Sequence, residues 1–403
     1  MSRHVLVVGG GIVGTATAYF AARAGARVTL LESEHVGYGA SGRNPGFVWL
    51  HCRNPGFALE ISLATRRLYP QLAEELPLDF EFRESGGVIY FLTEAQGAAF
   101  AEFAAKRRAD GLDVTLIDGA EVRRLVPPIR EDVLGATHCA EDAHINTPLL
   151  VRALAEGARA EGAAIEEGVA ATGLLRSGDD VVGVTTTSGD MEADVVVAAA
   201  GVWTPALLRE VGVELPIGAE RLQVIATEPL PRLIEPVVYG PLATKQYALF
   251  RDLPSWKPAD FTAPYEDESG IEMLQLVAQR ANGEILLGCP MDYPAELDLR
   301  PTLAGLAATA AAITEDFPGL RDAPVSRMWA GLLPYTTDTI PVIDSPMHGL
   351  YVASGHVYGN AAGPMTGKLL AQLVLDEEPE IDLSECRLDR TLTLPAAGTA
   401  ARW

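Results

Sequence analysis

The residues whose types and spacing point most directly to chemistry are three glycines near the start of the chain, Gly9, Gly11 and Gly14. They follow a short apolar run at 4–8, and Glu32 ends the next apolar run. In a strand–turn–helix unit, such glycines permit a tight turn, a close approach of the backbone to a pyrophosphate, and close helix–strand packing. The helix N-terminus offers unpaired N–H groups to phosphates, and a terminal acid accepts hydrogen bonds from ribose hydroxyls. The pattern therefore predicts a dinucleotide-binding turn rather than a plain glycine turn.

The elements that must position this turn are a strand at 4–8, a helix at 15–24 and a strand at 27–31. Similar strand–helix patterns recur in the middle and at the end of the chain, whereas residues 215–292 alternate in a strand-like way. The other predicted helices cover 56–75, 94–109, 146–161, 302–316 and 361–375, and the other predicted strands 164–175, 181–187, 194–201, 222–227, 272–278, 284–288 and 349–353. A Pro-rich, polar insertion at 252–270 predicts a long surface loop, and residues 391–403 predict a loose tail. We therefore expect an α/β domain assembled from discontinuous segments and interrupted by a second, sheet-based domain.

The composition restricts the classes of partner. The 403 residues are 48% hydrophobic and include 31 Lys and Arg against 54 Asp and Glu, a net charge of −23. Such a surface repels phosphate backbones and anionic lipid, so we expect no nucleic-acid partner. No apolar run approaches the roughly 20 residues of a spanning helix, so we expect no integral membrane segment. The N-terminus does not resemble a signal peptide, and the four scattered cysteines predict neither a zinc site nor a disulfide framework, which favours the cytoplasm.

A second glycine-rich stretch at 37–46 distinguishes FAD from NAD as the predicted dinucleotide. With it, the sequence resembles the D-amino acid oxidase/glycine oxidase (DAO) family of FAD-dependent oxidoreductases, which includes sarcosine oxidase β-subunits and D-amino acid dehydrogenases. The matching segments lie in order along nearly the whole chain and are Gly9–Gly14, Ala18-Tyr19, Glu32, Gly39–Asn44, Ala199–Thr204, Trp329–Asp338, Ile340–Ile343, Gly349–His356 and Gly363–Ala371.

The resemblance implies a Rossmann-like FAD-binding domain of the glutathione-reductase type and an α+β substrate-binding domain with a mainly antiparallel sheet. The boundaries that we assign are 1–78, 145–215 and 326–390 for the FAD-binding domain, 79–144 and 216–325 for the substrate-binding domain, and 391–403 for the tail.

The resemblance also implies which residues surround FAD. The ADP half is expected near the first turn and Glu32, the adenine near Val169, the pyrophosphate and flavin edge near Ser41–Asn44, and the isoalloxazine near 355–361. Trp203 either contacts the cofactor or packs in the core. The complete predicted set is Gly9, Gly11, Ile12, Val13, Gly14, Glu32, Ser33, Ala40, Ser41, Gly42, Arg43, Asn44, Val169, Ala200, Gly201, Trp203, Gly331, Gly355, His356, Gly359, Asn360 and Ala361.

The activity that the resemblance implies is oxidation of the C–N bond of an amino acid or amine. Hydride passes to flavin N5, and the resulting imine hydrolyses to an oxo product. The flavin carries out the difficult chemistry, while the protein orients the C–H bond. The electron acceptor is oxygen or another acceptor, and no metal is expected. A homo-oligomer is left open.

This chain departs from many relatives at Leu333, where they have an arginine that clamps the substrate carboxylate. A leucine cannot form a charge-assisted bidentate pair, so the carboxylate is held elsewhere or the substrate has none. The candidate replacements are Arg221, Arg251 and Lys245, and we favour Arg221 because its strand in relatives runs toward the substrate cavity. Lys245 is also a candidate for assisting the reaction with oxygen.

Tyrosines and histidines complete the candidates for the substrate site. Tyr247, Tyr335 and Tyr358 either shape the cavity or pack in the core and at its rim. His51 and His356 are interpreted as hydrogen-bonding groups of the cavity rather than as covalent links to the flavin. No cysteine lies between 290 and 385, so we predict non-covalent FAD.

Two alternatives remain at this stage. One keeps the fold and changes the substrate to a 2-hydroxy acid, which would be oxidised at its C–OH group. The other is a subunit of an oxidase complex that works only with a partner chain.

Overall fold

A computed structural model describes residues 2–263 and 271–393. Its helices are α1 (Ile12–Arg23), α2 (Phe57–Glu75), α3 (Glu94–Ala109), α4 (Gly119–Leu125), α5 (Thr147–Ala160), α6 (Thr204–Arg209), α7 (Ala248–Arg251), α8 (Leu303–Asp316) and α9 (Gly359–Val374). Its strands are β1 (His4–Val8), β2 (Arg27–Glu32), β3 (Phe47–Val48), β4 (Gly87–Phe91), β5 (Val114–Asp118), β6 (Gly135–Cys139), β7 (Ala143–His144), β8 (Ala164–Glu167), β9 (Ala171–Ser177), β10 (Asp180–Thr186), β11 (Gly189–Glu192), β12 (Val195–Ala198), β13 (Gly218–Thr227), β14 (Val237–Tyr239), β15 (Glu272–Gln279), β16 (Ile285–Asp292), β17 (Val325–Tyr335), β18 (Val342–Met347) and β19 (Leu350–Ser354).

A six-stranded sheet carries the first glycine turn. Its order is β18-β19-β12-β1-β2-β8, and all neighbours except β18 and β19 run parallel. β1 and β12 are buried along their whole length, as central strands covered on both faces must be, and this explains their continuous apolar sequences. The sheet is therefore of the expected nucleotide-binding type, with strands drawn from the start, the middle and the end of the chain.

Small residues allow the helices of this region to lie close together. A Cβ atom on Gly14 would lie 1.9 Å from the carbonyl oxygen of Gly9, and one on Gly367 would lie 2.4 Å from the Cβ atom of Ala16. Neither distance is sterically allowed, so α1 can approach both its own turn and α9 only because glycine occupies these positions.

An eight-stranded sheet lies beside the first and has the order β17-β13-β16-β15-β14-β4-β6-β5. Its pairs are antiparallel except for β14 and β4, in agreement with the expected mainly antiparallel sheet. The long strand β17 pairs with β13 over ten positions from Tyr335 to Val325. Our predicted domain boundaries place most of β17 in the FAD-binding domain, and that division stays a prediction.

All six predicted helices occur in the structure, and their ends differ from the predicted ones by at most three residues. The strands at 87–91, 114–118 and 135–139 were not predicted, because their apolar runs are short and follow helical segments. Within the polar insertion, residues 252–263 contain one short 3₁₀ helix, Pro258–Asp260. The rest of that insertion and residues 394–403 of the predicted tail lie outside the described residues. In the described chain, no helix is long and apolar enough to cross a membrane.

Candidate functional site

A crevice of about 630 Å³ lies at the carboxyl ends of the parallel strands β1, β2, β12 and β19. Ligands of open α/β sheets bind in this position, where loops from several strands meet. The volume lies within the range of ligand pockets, roughly 300–1,000 Å³. The crevice therefore has both the place and the size of a nucleotide site.

The first glycine turn forms one wall of the crevice. Gly9 has a positive φ of 112°, and a Cβ atom there would lie 2.5 Å from the carbonyl oxygen of Ala199. No side chain caps α1 at Gly11, although the hydroxyl of Ser41 accepts a hydrogen bond from the Ile12 amide at 3.0 Å. The turn therefore presents backbone N–H groups and the positive end of a helix dipole to the crevice.

Glu32 closes the adjoining side of the crevice at the end of β2. One of its carboxylate oxygens accepts the Gly10 amide at 2.7 Å, and the other accepts the Glu34 amide at 3.0 Å. Its carbonyl oxygen accepts the amide of Val169 at 3.0 Å. These bonds fix the acid beside the glycine turn and bring Val169 to the same end of the crevice.

The second glycine-rich stretch forms a 3₁₀ helix, Ala40–Arg43. A Cβ atom on Gly42 would lie 1.8 Å from the carbonyl oxygen of Gly37, so this fold requires glycine. Arg43 donates to the carbonyl oxygens of Tyr38 at 3.0 Å and Ala330 at 3.3 Å, and Trp329 donates to the carbonyl oxygen of Arg43 at 2.8 Å. These two side chains tie the stretch to β17.

The N-terminus of α9 marks the opposite end of the crevice and also carries no side-chain cap. The side-chain Nδ2 of Asn360 donates to Asn44 Oδ1 at 2.7 Å and to the carbonyl oxygen of Phe47 at 3.1 Å, which holds α9 against the second glycine-rich stretch. His356 lies 3.1 Å from the hydroxyl of Thr366. Burial lowers the pKa of His356 to about 4, so its ring is neutral at pH 7.

An inner cavity of about 70 Å³ adjoins this end of the crevice. Both spaces are lined by Asn44, Leu333, Gly359 and Asn360. The other inner walls are mostly apolar or aromatic and include Phe47, Trp49, Leu222, Tyr239, Tyr247, Leu274, Leu276, Cys289, Val357 and Tyr358. We call the larger space the crevice and the smaller one the inner cavity.

Aromatic rings fix the shape of the inner cavity. The ring of Tyr239 stands edge-on to Trp49 at 4.4 Å and to Phe47 at 5.0 Å between centroids. Burial raises the pKa values of Tyr239, Tyr247 and Tyr358 well above their usual range. These phenols therefore keep their protons at neutral pH and offer O–H groups within apolar walls.

A neutral acid lies next to this wall on β13. Glu220 is fully buried, and the hydroxyl of Tyr293 donates to it at 2.7 Å. Burial raises the pKa of Glu220 to about 8, and the carboxylates of Glu272 and Asp292 act in the same direction. Glu220 therefore carries a proton at pH 7 and adds little negative charge near the inner cavity.

The crevice brings together most of the predicted cofactor residues. Those that line it are Gly9, Gly11, Ile12, Val13, Glu32, Ser33, Ala40, Ser41, Asn44, Val169, Ala200, Gly201, Trp203, His356, Gly359 and Asn360. Ala361 lines the inner cavity instead. Among the described lining residues, Gly14, Gly42, Arg43, Gly331 and Gly355 do not appear.

The predicted substrate residues are more scattered. Tyr247 lines the inner cavity and His356 the crevice, whereas Arg221, Lys245 and Tyr335 line neither of these two described spaces. Leu222 faces the inner cavity, so its neighbour Arg221 points to the other face of β13. There Arg221 donates to both carboxylate oxygens of Asp292 at 2.7 Å. It therefore lies away from the position that a carboxylate clamp would need.

Sequence reasoning missed Arg53, which lines the inner cavity and is 6% exposed. The available signal was an arginine at the end of the apolar run Phe47–Cys52, directly after the second glycine-rich stretch. Sequence reasoning also missed Leu297 and Leu299, which reach the crevice from the loop after β16. Arg221 helps to hold this loop by donating to the carbonyl oxygen of Arg300 at 3.1 Å.

These features define a dinucleotide-binding site, and comparison with known proteins gives the family and its redox chemistry. The model of the DAO family, FAD dependent oxidoreductase, matches residues 4–373. The chain therefore belongs to the DAO family of FAD-dependent oxidoreductases, as its sequence motifs predict, and FAD is its cofactor.

Individual relatives match along nearly the whole chain. The glycine oxidase of Pseudomonas aeruginosa is 30% identical over 401 residues, covering 95% of this chain and 97% of that protein. The sarcosine oxidase subunit beta of an Arthrobacter species is 28% identical over 390 residues, covering 94% and 88%. The crystal structure of glycine oxidase from Geobacillus kaustophilus has a TM-score of 0.82 at 24% identity, covering 97% and 100%, which is a likeness of fold.

Proposed function

We propose that this enzyme oxidises the C–N bond of an amino acid or amine and that the reacting carbon lies where the inner cavity meets the crevice. The observation that carries the proposal is the wall that the two spaces share at Asn44, Leu333, Gly359 and Asn360. A crevice of this volume with glycine turns and Glu32 in its wall suits a dinucleotide, and a small aromatic cavity at its end suits the carbon skeleton of a substrate. The relatives named glycine oxidase and sarcosine oxidase subunit beta favour an amino acid.

The crevice fits FAD from both ends. The uncapped α1 and the glycine turn would hold the pyrophosphate, and Glu32 and Val169 would hold the ribose and adenine. At the other end, the uncapped N-terminus of α9 would face the ring system. A helix N-terminus there favours negative charge, so it would stabilise the reduced cofactor.

When bound, FAD accepts the hydride from the amine-bearing carbon, and the imine product hydrolyses in water. The chain itself contributes position and surroundings. Leu222, Leu333 and the aromatic rings would exclude bulk water from the reacting carbon, which strengthens every electrostatic interaction there. His356 is neutral at pH 7 and hydrogen-bonded to Thr366, so it would contribute a fixed polar wall rather than a charge.

The proposal includes non-covalent FAD. Cys289 and Cys386 are buried, and burial raises the pKa values of both thiols, so neither is a ready nucleophile. The His51 ring lies between Trp49 and Phe103, and its two nitrogens contact Asp142 and Thr137 at 3.0 Å. Denaturation of the holoenzyme is expected to release all of its flavin.

The direct test is an anaerobic substrate screen of the FAD-loaded enzyme. Amino acids, simple amines and 2-hydroxy acids are each mixed with the enzyme, and loss of the oxidised flavin absorbance is followed. We expect amino acids or amines to bleach the flavin and to yield the oxo product with ammonia or a smaller amine. Bleaching by 2-hydroxy acids alone would contradict the proposed C–N chemistry.

Turnover by the isolated chain is measured in the same screen with an artificial acceptor and with oxygen. Steady turnover without any added protein would exclude the alternative of a subunit that needs a partner chain. Comparing the two acceptors separates an oxidase from a dehydrogenase.

A further inference from the structure

The inner cavity contains a buried cation with an unused hydrogen-bonding capacity. Arg53 is 6% exposed, and its Nε donates to the carbonyl oxygen of Trp49 at 2.8 Å. Its guanidinium carbon lies 4.6 Å from the ring centroid of Tyr358. Within the described part of the chain, no carboxylate lies within 4.0 Å of its nitrogens, and its two terminal nitrogens have no hydrogen-bond acceptor.

The other buried arginines show how unusual this is. Arg66, Arg107, Arg221 and Arg280 pair with Glu84, Asp110, Asp292 and Glu284 respectively. Burying an unpaired charge is costly, so buried arginines are normally compensated in this way. Among the buried arginines of residues 2–263 and 271–393, Arg53 alone lacks such a partner, and it is the one that lines the inner cavity.

A second unpaired group lies beside it. Tyr358 is 6% exposed, lines the same cavity, and its hydroxyl has no hydrogen-bond partner among the described residues. A buried hydroxyl without a partner costs free energy that a ligand acceptor would recover. A guanidinium and a phenol together match a carboxylate, which accepts hydrogen bonds on both of its oxygens.

We propose that Arg53, assisted by the hydroxyl of Tyr358, binds the substrate carboxylate and thereby replaces the arginine that is absent at Leu333. This inference rests on the proposed function, and it narrows the substrate to an amino acid. The inner cavity of about 70 Å³ holds about five water-sized groups, which restricts the substrate to a small amino acid.

The turn that carries Arg53 is fixed from behind. One oxygen of the buried Asp142 accepts the amides of Leu50 at 2.7 Å and His51 at 3.1 Å, and the Arg53 amide donates to Leu50 at 2.9 Å. Asp142 is therefore a positioning residue for Arg53. A cation held in this way loses little side-chain entropy when an anion binds.

The first test titrates the oxidised holoenzyme with acetate and follows the perturbation of the flavin spectrum. Acetate supplies the carboxylate without an oxidisable C–N bond. We expect Arg53→Gln to raise the Kd for acetate by roughly 30-fold or more, Arg53→Lys to raise it less because one charge remains, and Tyr358→Phe to raise it roughly fivefold. Arg67→Gln, at an exposed position of α2, is the matched control and should leave the Kd unchanged.

Several results would overturn the proposal. One is that the wild-type enzyme shows no binding of acetate at all, and another is that the acetate Kd is equal in the wild type, Arg53→Gln and Arg53→Lys. A changed flavin potential with an unchanged acetate Kd would also overturn it, because Arg53 would then balance charge on the reduced flavin. If Arg53→Gln does not fold, the lysine and Tyr358→Phe variants decide the question.

The second test compares each small amino acid with the amine that lacks its carboxylate, for example glycine with methylamine and proline with pyrrolidine. In the wild type, the amino acid of each pair should reduce the flavin much faster than the amine does. In Arg53→Gln, reduction by the amino acid should slow while reduction by the amine stays the same, so most of the preference is lost. A preference that survives in Arg53→Gln contradicts the assignment of Arg53 while leaving the C–N chemistry intact. Acetate binding that depends on Arg53, with no reduction by any amine or amino acid, contradicts the proposed function instead.

Discussion

The crevice and the inner cavity adjoin, yet they achieve recognition in opposite ways. The crevice is built from backbone, with uncapped helix ends, glycines that leave room for a ligand, and one acid that is already hydrogen-bonded to the turn. The inner cavity is built from side chains, namely aromatic rings around one unpaired arginine. The first arrangement depends on local spacing along the chain. The second depends on which strands and loops meet in space.

This difference shows why relatives can share a cofactor and differ in substrate. The two glycine-rich stretches tolerate few substitutions, because an added Cβ atom on Gly9, Gly14 or Gly42 would collide with a backbone carbonyl oxygen. The side chains of the inner cavity come from β3, β13, β14, β15, β16, β17, the start of α9 and adjoining loops, so several elements contribute to its shape. Arg53 and Leu333 line the same space, which is why we propose that Arg53 takes the place of the arginine that the family resemblance implies at position 333.

The largest expected effect breaks the crevice alone. In Gly14→Ala, the new methyl group meets the carbonyl oxygen of Gly9, so α1 must move away from its turn. We expect FAD affinity to fall by roughly 100-fold or more, which corresponds to about 3 kcal/mol. The measurement is the flavin-to-protein ratio after dialysis. The control is Gly111→Ala, where an added Cβ atom has no neighbour within 4 Å although φ is positive, and retained flavin in this control assigns the loss to the crevice.

A pH titration examines the wall of the inner cavity. Burial raises the pKa of Glu220 from 4.5 to about 8, so the folded chain holds this proton more tightly than the unfolded chain does. The resulting stabilisation is complete below about pH 4.5 and is lost as the pH rises through about 8. Relative to Glu220→Gln, the wild type should lose roughly 2 kcal/mol of unfolding free energy between about pH 5 and about pH 6.5. Thermal melts at several pH values measure this difference. The exposed Glu214→Gln variant should follow the wild type, and parallel curves for Glu220→Gln and wild type would show that Glu220 is ionised when folded.

Asp142, which holds the turn that carries Arg53, allows the inner cavity and the crevice to be compared in one variant. Asp142→Asn keeps an acceptor for the amides of Leu50 and His51 but replaces the oxygen that contacts His51 Nδ1. We expect a cost of about 2 kcal/mol in stability and a weaker affinity for acetate, with FAD retention unchanged. Melting temperature, acetate titration and flavin content are measured together, with Asp113→Asn at an exposed position as control. Loss of flavin in step with acetate affinity would mean that the two spaces do not respond separately.

The smallest expected effect is at the far end of the crevice. Glu32→Gln preserves an oxygen acceptor and removes the charge that binds the Gly10 and Glu34 amides. We expect FAD to bind roughly tenfold more weakly, about 1.4 kcal/mol, while the acetate Kd of the fully loaded enzyme does not change. Equilibrium dialysis measures the first quantity. The exposed Glu166→Gln variant on the neighbouring strand should bind FAD as the wild type does.

Local signals were enough to predict the crevice. Gly9, Gly11, Gly14 and Glu32 stand within one strand–helix–strand unit, so their spacing alone determines their relative positions. Arg221 shows the limit of such local signals. The sequence predicted a strand here, but it did not predict which face of the strand lines the cavity. A shift of one position along a strand reverses the face, and Leu222 rather than Arg221 points inward. Arg53 could not be predicted as unpaired, because the absence of a partner is a property of the folded chain.

The wall shared by Asn44, Leu333, Gly359 and Asn360 has a thermodynamic consequence. A ligand seated in either space covers one side of the other, so each occupant changes the free energy at which its neighbour binds. Such coupling is reciprocal by necessity. A small carboxylate in the inner cavity should therefore change the affinity for the flavin by the same factor by which the flavin changes the affinity for the carboxylate, and the enzyme is expected to be most durable when both are present.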